Sequence, residues 1–152
     1  MPIRILAVGK KHESWVSEGI ARYETRLKRP FETTWVLLPH SAREADAARQ
    51  DESERLLSRI KDDEFVVLLD ERGKLLDSPA LSRQLVAQLE LSKPVTVIIG
   101  GAYGVDETVH HRADLVWSLS PLVFPHQLVR LILAEQLYRA QEIAAGHPYH
   151  HV

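Results

Sequence analysis

The apolar positions of the chain gather into five short runs: IRILAVG (3–9), TTWVLLP (33–39), FVVLLD (65–70), PVTVIIG (94–100) and LVWSLS (115–120). Most are nearly continuous rather than alternating, the pattern of strands buried on both faces. Between them the period changes. Over 14–29, Val16, Ile20, Tyr23 and Leu27 recur along one face of a helix. Segment 45–60 is charged, with Leu56, Leu57 and Ile60 as its apolar side. Segment 79–91 predicts a helix with Ser78 as N-cap and Pro79 at the first helical position, and Asp106 caps a shorter helix expected over 106–113. Strands alternating with helices predict an α/β fold, a parallel sheet covered by helices on both faces. No repeat, low-complexity tract or linker divides the chain, so one domain over 1–152 is expected.

The last helix, 127–145, has a different character. In QLVRLILAEQLYRAQEIAA, apolar residues cover well over half the circumference. One face would satisfy a sheet. The surplus calls for a second buried surface, supplied either by another copy of the chain or by a central position within the monomer. In so short a chain the homodimer is the expectation.

Composition narrows the classes. A chain of 152 residues, 45% hydrophobic and 26% charged, has the mass and make-up to bury its own core. No apolar run has the length of a bilayer span, and MPIRILAVGK lacks the layout of a secretory signal. The absence of cysteine excludes disulfides, a thiol nucleophile and a thiolate metal site. A cytoplasmic protein without a membrane partner is expected. The net charge of -2 argues against nucleic-acid binding by bulk electrostatics, so any such contact must use a local patch. Lys10, Lys11, Arg22, Arg26, Lys28 and Arg29 are candidates for that patch, though charge runs are more often solvated faces. The terminal HPYHH places His147, His150 and His151 close together, but without cysteine or a converging acid no metal site is expected.

Two stretches carry chemistry. The strand PVTVIIG runs directly into GGAYG, with Gly100, Gly101 and Gly104 at the C-terminal end of a parallel strand, where ligands of open α/β sheets bind. The spacing is neither a dinucleotide fingerprint nor a triphosphate loop. Taken alone, the glycines are equally a tight turn. Downstream, WSLSPLVFPHQLVR (117–130) lays an apolar loop bounded by Pro121 and Pro125 immediately before the most hydrophobic helix. Strand ends at Leu69-Asp70, Gly100 and Leu119-Ser120-Pro121 converge on one edge. A pocket of backbone groups and apolar side chains there suits a flat heteroaromatic ring with polar edges, such as adenine.

GGAYG, WSLSPLVFPHQLVR, LAEQLYRAQEI and the terminal HPYHHV together resemble the RlmH type of SPOUT methyltransferase, with LAVGK near the start extending the match over nearly the whole chain. The resemblance implies an α/β fold with a C-terminal trefoil knot, homodimeric, and methylation of N3 of a pseudouridine in large-subunit ribosomal RNA, within the ribosome. It implies S-adenosylmethionine held by Leu69, Gly100, Leu119, Ser120, Pro121, Leu122, Val123 and Phe124. It also places His126 and Arg130 beside the RNA, with Tyr149 and His150 completing the catalytic site. Tyr103 departs from the acidic residue of some relatives, so that position is not essential to the chemistry.

Two other classes fit parts of the pattern: a catalytically silent ribosome-binding module of the same fold, and a small-metabolite enzyme using GGAYG for an anion. The first would bind ribosomes without transferring methyl groups. The second would be indifferent to changes in the tail. The pairing of the 117–130 loop with the PYH tail favours methyl transfer.

Overall fold

The continuous apolar runs form the five strands β1 (Ile3–Val8), β2 (Thr33–Leu38), β3 (Phe65–Leu75), β4 (Val95–Ile99) and β5 (Leu115–Ser118). The computed structural model describes residues 2–149. The strands make one parallel sheet in the order β2-β1-β4-β3-β5. Helices α1 (Ser14–Glu24), α2 (Ala45–Leu57), α3 (Ser78–Glu90), α4 (Glu107–Arg112) and α5 (His126–Ala144) alternate with them.

Both sheet faces are buried, which is why the runs are continuous. Ile3, Ile5, Ala7, Val67 and Val97 point to one side, where Leu81 and Leu85 of α3 and Leu133, Leu137 and Ala140 of α5 meet them. Leu6, Val8, Leu68 and Ile98 point to the other, against Leu56 of α2 and Val109 of α4. Helix α1 joins the first layer through Val16 and Ile20, which pack on Ala134 of α5. Among the described residues no helix is long and apolar enough to cross a membrane.

Strand β3 follows β4 from Phe65 to Leu69, then breaks register against β5 between Leu69 and Lys74. Asp70 to Gly73 form this irregularity. Gly73 permits this, because a Cβ there would stand 2.7 Å from the Val116 carbonyl.

Some boundaries differ from the sequence expectations. Asp77, not Ser78, caps α3, accepting from the Ala80 N–H at 2.8 Å, while Ser78 Oγ donates to Gln136 of α5 at 2.9 Å. Both residues are good caps, and the carboxylate takes the role. Helix α1 stops at Glu24 rather than 29; the N–H groups of Arg26 and Leu27 bond back to Tyr23 and Glu24 in a tightened turn ahead of Pro30. Asp106 does cap α4, accepting from Thr108 and Val109. Finally, much of the apolar surplus of α5 is used inside the chain. Its flanks pack between α1 and α3, with Leu131 against Gly19 and Ala140 accepting from Ser82. Leu128 and Ile132 stay partly exposed.

Candidate functional site

The segments leaving β3, β4 and β5 at their C-terminal ends enclose a cavity of about 780 Å³. Seven of the eight positions expected to hold a cofactor line it: Leu69, Gly100, Leu119, Ser120, Leu122, Val123 and Phe124. Pro121 belongs to the same loop but not to the cavity wall. The loop is braced by its own serines, Ser118 Oγ donating to the Ser120 carbonyl and Ser120 Oγ accepting from the Leu122 N–H, both at 3.0 Å. Leu122 and Val123 are 69% and 77% exposed, at the cavity wall rather than in a core. Opposite, Gly104 closes the GGAYG turn with φ +75° and donates its N–H to Gly101 at 3.0 Å. A Cβ at Gly100 would approach Val105 to 3.0 Å. The glycines therefore form a tight turn and a cavity wall at once.

The rim is charged. Asp70 Oδ2 accepts from Arg72 at 3.0 Å and lies 3.1 Å from His110 Nε2. Burial alone would raise the Asp70 pKa; hydrogen bonds and charge from Arg72, with His110, outweigh it and hold the carboxyl below its usual range. Arg49 reaches the cavity from α2 and donates Nε to the Tyr103 carbonyl at 2.9 Å. Sequence reasoning missed Arg72 and Arg49, whose only local sign is that Arg72 follows the apolar run 65–70.

His126, the first residue of α5, lines the cavity. Burial, then the charges of Arg130 and His40, lower its pKa below the ordinary value, with Glu52 opposing them. The imidazole is thus held neutral near pH 7. Arg130 lies one turn further along α5. It is 1% exposed, its Nη1 donating to the Lys10 carbonyl at 2.8 Å and standing 3.2 Å from His12 Nδ1.

Tyr149 lies elsewhere. Its hydroxyl donates to Glu135 Oε2 at 3.0 Å, its ring meets Tyr138 edge-on at 4.8 Å, and Arg139 stands over it at 5.0 Å. Glu135 pairs with Arg139 of its own chain at 2.9 Å. His150 and His151 lie outside the described residues. A second cavity of about 440 Å³ lies between the start of α3 and α5, bordered by Trp117, Ile132 and Arg139, and it shares Leu119 and Phe124 with the first. The six basic residues from Lys10 to Arg29 are all exposed.

The family model described as "Predicted SPOUT methyltransferase" matches residues 1–150. The chain belongs to the SPOUT methyltransferase family. Among relatives of this SPOUT methyltransferase, "Ribosomal RNA large subunit methyltransferase H" of Thioalkalivibrio sulfidiphilus is 43% identical, the alignment covering 99% of each chain. The protein of the same name from Alkalilimnicola ehrlichii is also 43% identical, again over 99% of both. A probable methylase family protein from Haemophilus influenzae shares the fold, with a TM-score of 0.58 at 13% identity over 99% of this chain and 70% of that one. A putative methylase family protein from Neisseria gonorrhoeae does likewise, with a TM-score of 0.57 at 13% identity over 99% of this chain and 85% of that one. None of these comparisons supports a small-metabolite enzyme or a silent binding module.

A SPOUT methyltransferase requires a methyl donor of the S-adenosylmethionine type, and the residues fit one. The cavity falls in the usual range for a small-ligand site. Gly100 forms part of the wall, and Leu69, Ile99 and Val129 supply apolar contact for a ring.

Proposed function

We propose that this protein transfers a methyl group from S-adenosylmethionine to N3 of a pseudouridine in large-subunit ribosomal RNA, acting in the cytoplasm on the assembled ribosome. The observation that carries the proposal is one cavity, built by seven of the eight expected positions, in a chain 43% identical over its length to a relative named for methylating this class of RNA.

The donor, when bound, supplies a methyl group already activated on a sulfonium, so alignment is most of the protein's task. Backbone groups at Leu69, Gly100 and the 119–124 loop hold the flat ring of the donor, and the exposed Leu122 and Val123 exclude water from it. The imide nitrogen of the target base must lose its proton. His126, neutral and on the cavity wall, is placed to accept it. Arg130 acts from behind, tying the start of α5 to the β1–α1 connection at Lys10.

The proposal includes a homodimer and a trefoil knot. The partly exposed Leu128 and Ile132 offer a surface for a second copy. Tyr149 bonds to Glu135, nine residues beyond His126 and so about 14 Å along α5, too far to serve the cavity of its own chain. Tyr149 and His150 complete the site from the partner copy. The knot rests on the family to which the chain belongs.

The test is transfer of labelled methyl from S-adenosylmethionine to ribosomes lacking the modification, with free large-subunit RNA alongside. Label in a pseudouridine, lost on His126→Ala and on truncation after His147, supports both site and tail. Donor binding without transfer to either substrate would reject the target. A protein that binds no donor would reject methyl transfer altogether.

A further inference from the structure

Helix α2 carries no recognisable motif and lies on the sheet face opposite α5. Its side chains nevertheless converge on the glycine loop. Arg49, Glu52 and Ser53 stand at i, i+3 and i+4, on one face of the helix. Arg49 Nε donates to the Tyr103 carbonyl at 2.9 Å. Ser53 Oγ, fully buried, accepts from the Asp106 N–H at 2.9 Å. Between them Glu52 is buried to 3% exposure. Its Oε2 accepts from the Ser41 N–H at 2.9 Å, while Oε1, without a hydrogen-bond partner among the described residues, faces Gly101. A Cβ at Gly101 would collide with that oxygen.

The loop from Gly101 to Asp106 therefore meets α2 at its beginning, middle and end. Such a pattern is unusual for a helix whose packing task needs only apolar residues. Burying a carboxylate and a hydroxyl is unfavourable unless they bond to something, and the serine's partner and the carboxylate's neighbour are both loop backbone. A glycine-rich loop is also the segment with most conformational freedom to lose when a ligand binds. Ordering it beforehand removes that loss from the binding step.

We propose that Arg49, Glu52 and Ser53 are positioning residues that pre-shape the GGAYG wall for the methyl donor, so that α2 governs donor affinity from outside the binding loops. This rests on the donor site proposed above. Glu52 and Ser53 act through the loop, and Arg49 fixes it from the cavity rim.

The experiment is calorimetric titration of the full-length protein and its variants with S-adenosylhomocysteine, paired with melting curves and with KM for donor and for ribosomes. Ser53→Ala and Arg49→Met should each weaken binding about tenfold, the scale of one lost hydrogen bond. Arg49→Lys, which keeps a donor, should return to within about threefold of the parent protein. KM for the donor should rise while KM for ribosomes stays fixed. Parent-like affinity in both variants, with only the melting temperature lowered, would overturn the proposal and leave the donor site standing. Should Ser53→Ala fail to fold, the half-buried Arg49 still decides the question. No binding by the parent protein would remove the donor site, and the proposal with it.

Discussion

The guanidinium of Arg130 donates to the carbonyl of Lys10 at 2.8 Å, joining α5 to the connection that follows β1 across 120 residues of chain. Its Nη2 lies so near Gly9 that a Cβ there would stand 3.0 Å away. Removing this side chain leaves a cavity and an unpaired carbonyl. Arg130→Ala should therefore lower unfolding stability by about 2–4 kcal/mol. Urea denaturation measures it, and a stability equal to that of the parent protein would remove Arg130 from its structural role.

His126 should set the acid limit of catalysis. A base is active only when neutral, and burial with Arg130 and His40 holds this pKa below 6.5. The acid limb of single-turnover methyl transfer should accordingly fall below pH 6.5, and His126→Ala should slow transfer about 100-fold or more. An acid limb above that value would point to another proton acceptor. For stability, below pH 6.5 the unfolded chain protonates this histidine before the folded one does, so the group weakens folding as pH falls.

Acid stability should depend on Glu64. It is 7% exposed, accepts from Arg4 at 2.7 Å, and also accepts from Thr96 Oγ1 and the Lys61 N–H. Burial pushes its pKa up, but these hydrogen bonds, with the charge of Arg4, outweigh burial and leave it below 4.5. With a depressed folded pKa, the stabilisation is whole above pH 4.5 and fades as pH drops through the folded value. Glu64→Gln should flatten the dependence of the urea midpoint on pH between about 3 and 5. An unchanged slope would contradict the assignment.

Tyr149 should stay a phenol well into alkali. Burial first, then the hydrogen bond to Glu135 and its charge, push its pKa up to about 12. In this conformation it donates a hydrogen bond rather than accepting a proton. Ultraviolet titration of the parent protein against Tyr149→Phe should show the missing phenolate only above about pH 11, and Glu135→Gln should bring it lower. A difference signal already complete at pH 10 would mean that the contact with Glu135 is absent in solution.

The strands could be read from the sequence because burial on both faces leaves an unbroken apolar run, and the cavity loop because two prolines bracket an apolar stretch where no regular element fits. Side-chain contacts between distant segments leave no such trace. Arg130 stands on an apolar helix, and nothing adjacent reveals that its partner is a carbonyl beside β1. The loop-facing side of α2 was opaque for the same reason: Arg49, Glu52 and Ser53 look like an ordinary solvated helix until the glycine loop, some 50 residues on, is folded against them. The shift of the α3 cap from Ser78 to Asp77 is a smaller case, a competition between adjacent residues that local preference alone does not decide.

Leu119 and Phe124 border both cavities, and this shared boundary has a thermodynamic consequence. Any occupant of one chamber that shifts these two side chains alters the shape of the other. Linkage then requires reciprocity: the factor by which the first occupant changes the affinity of the second is the factor by which the second changes that of the first.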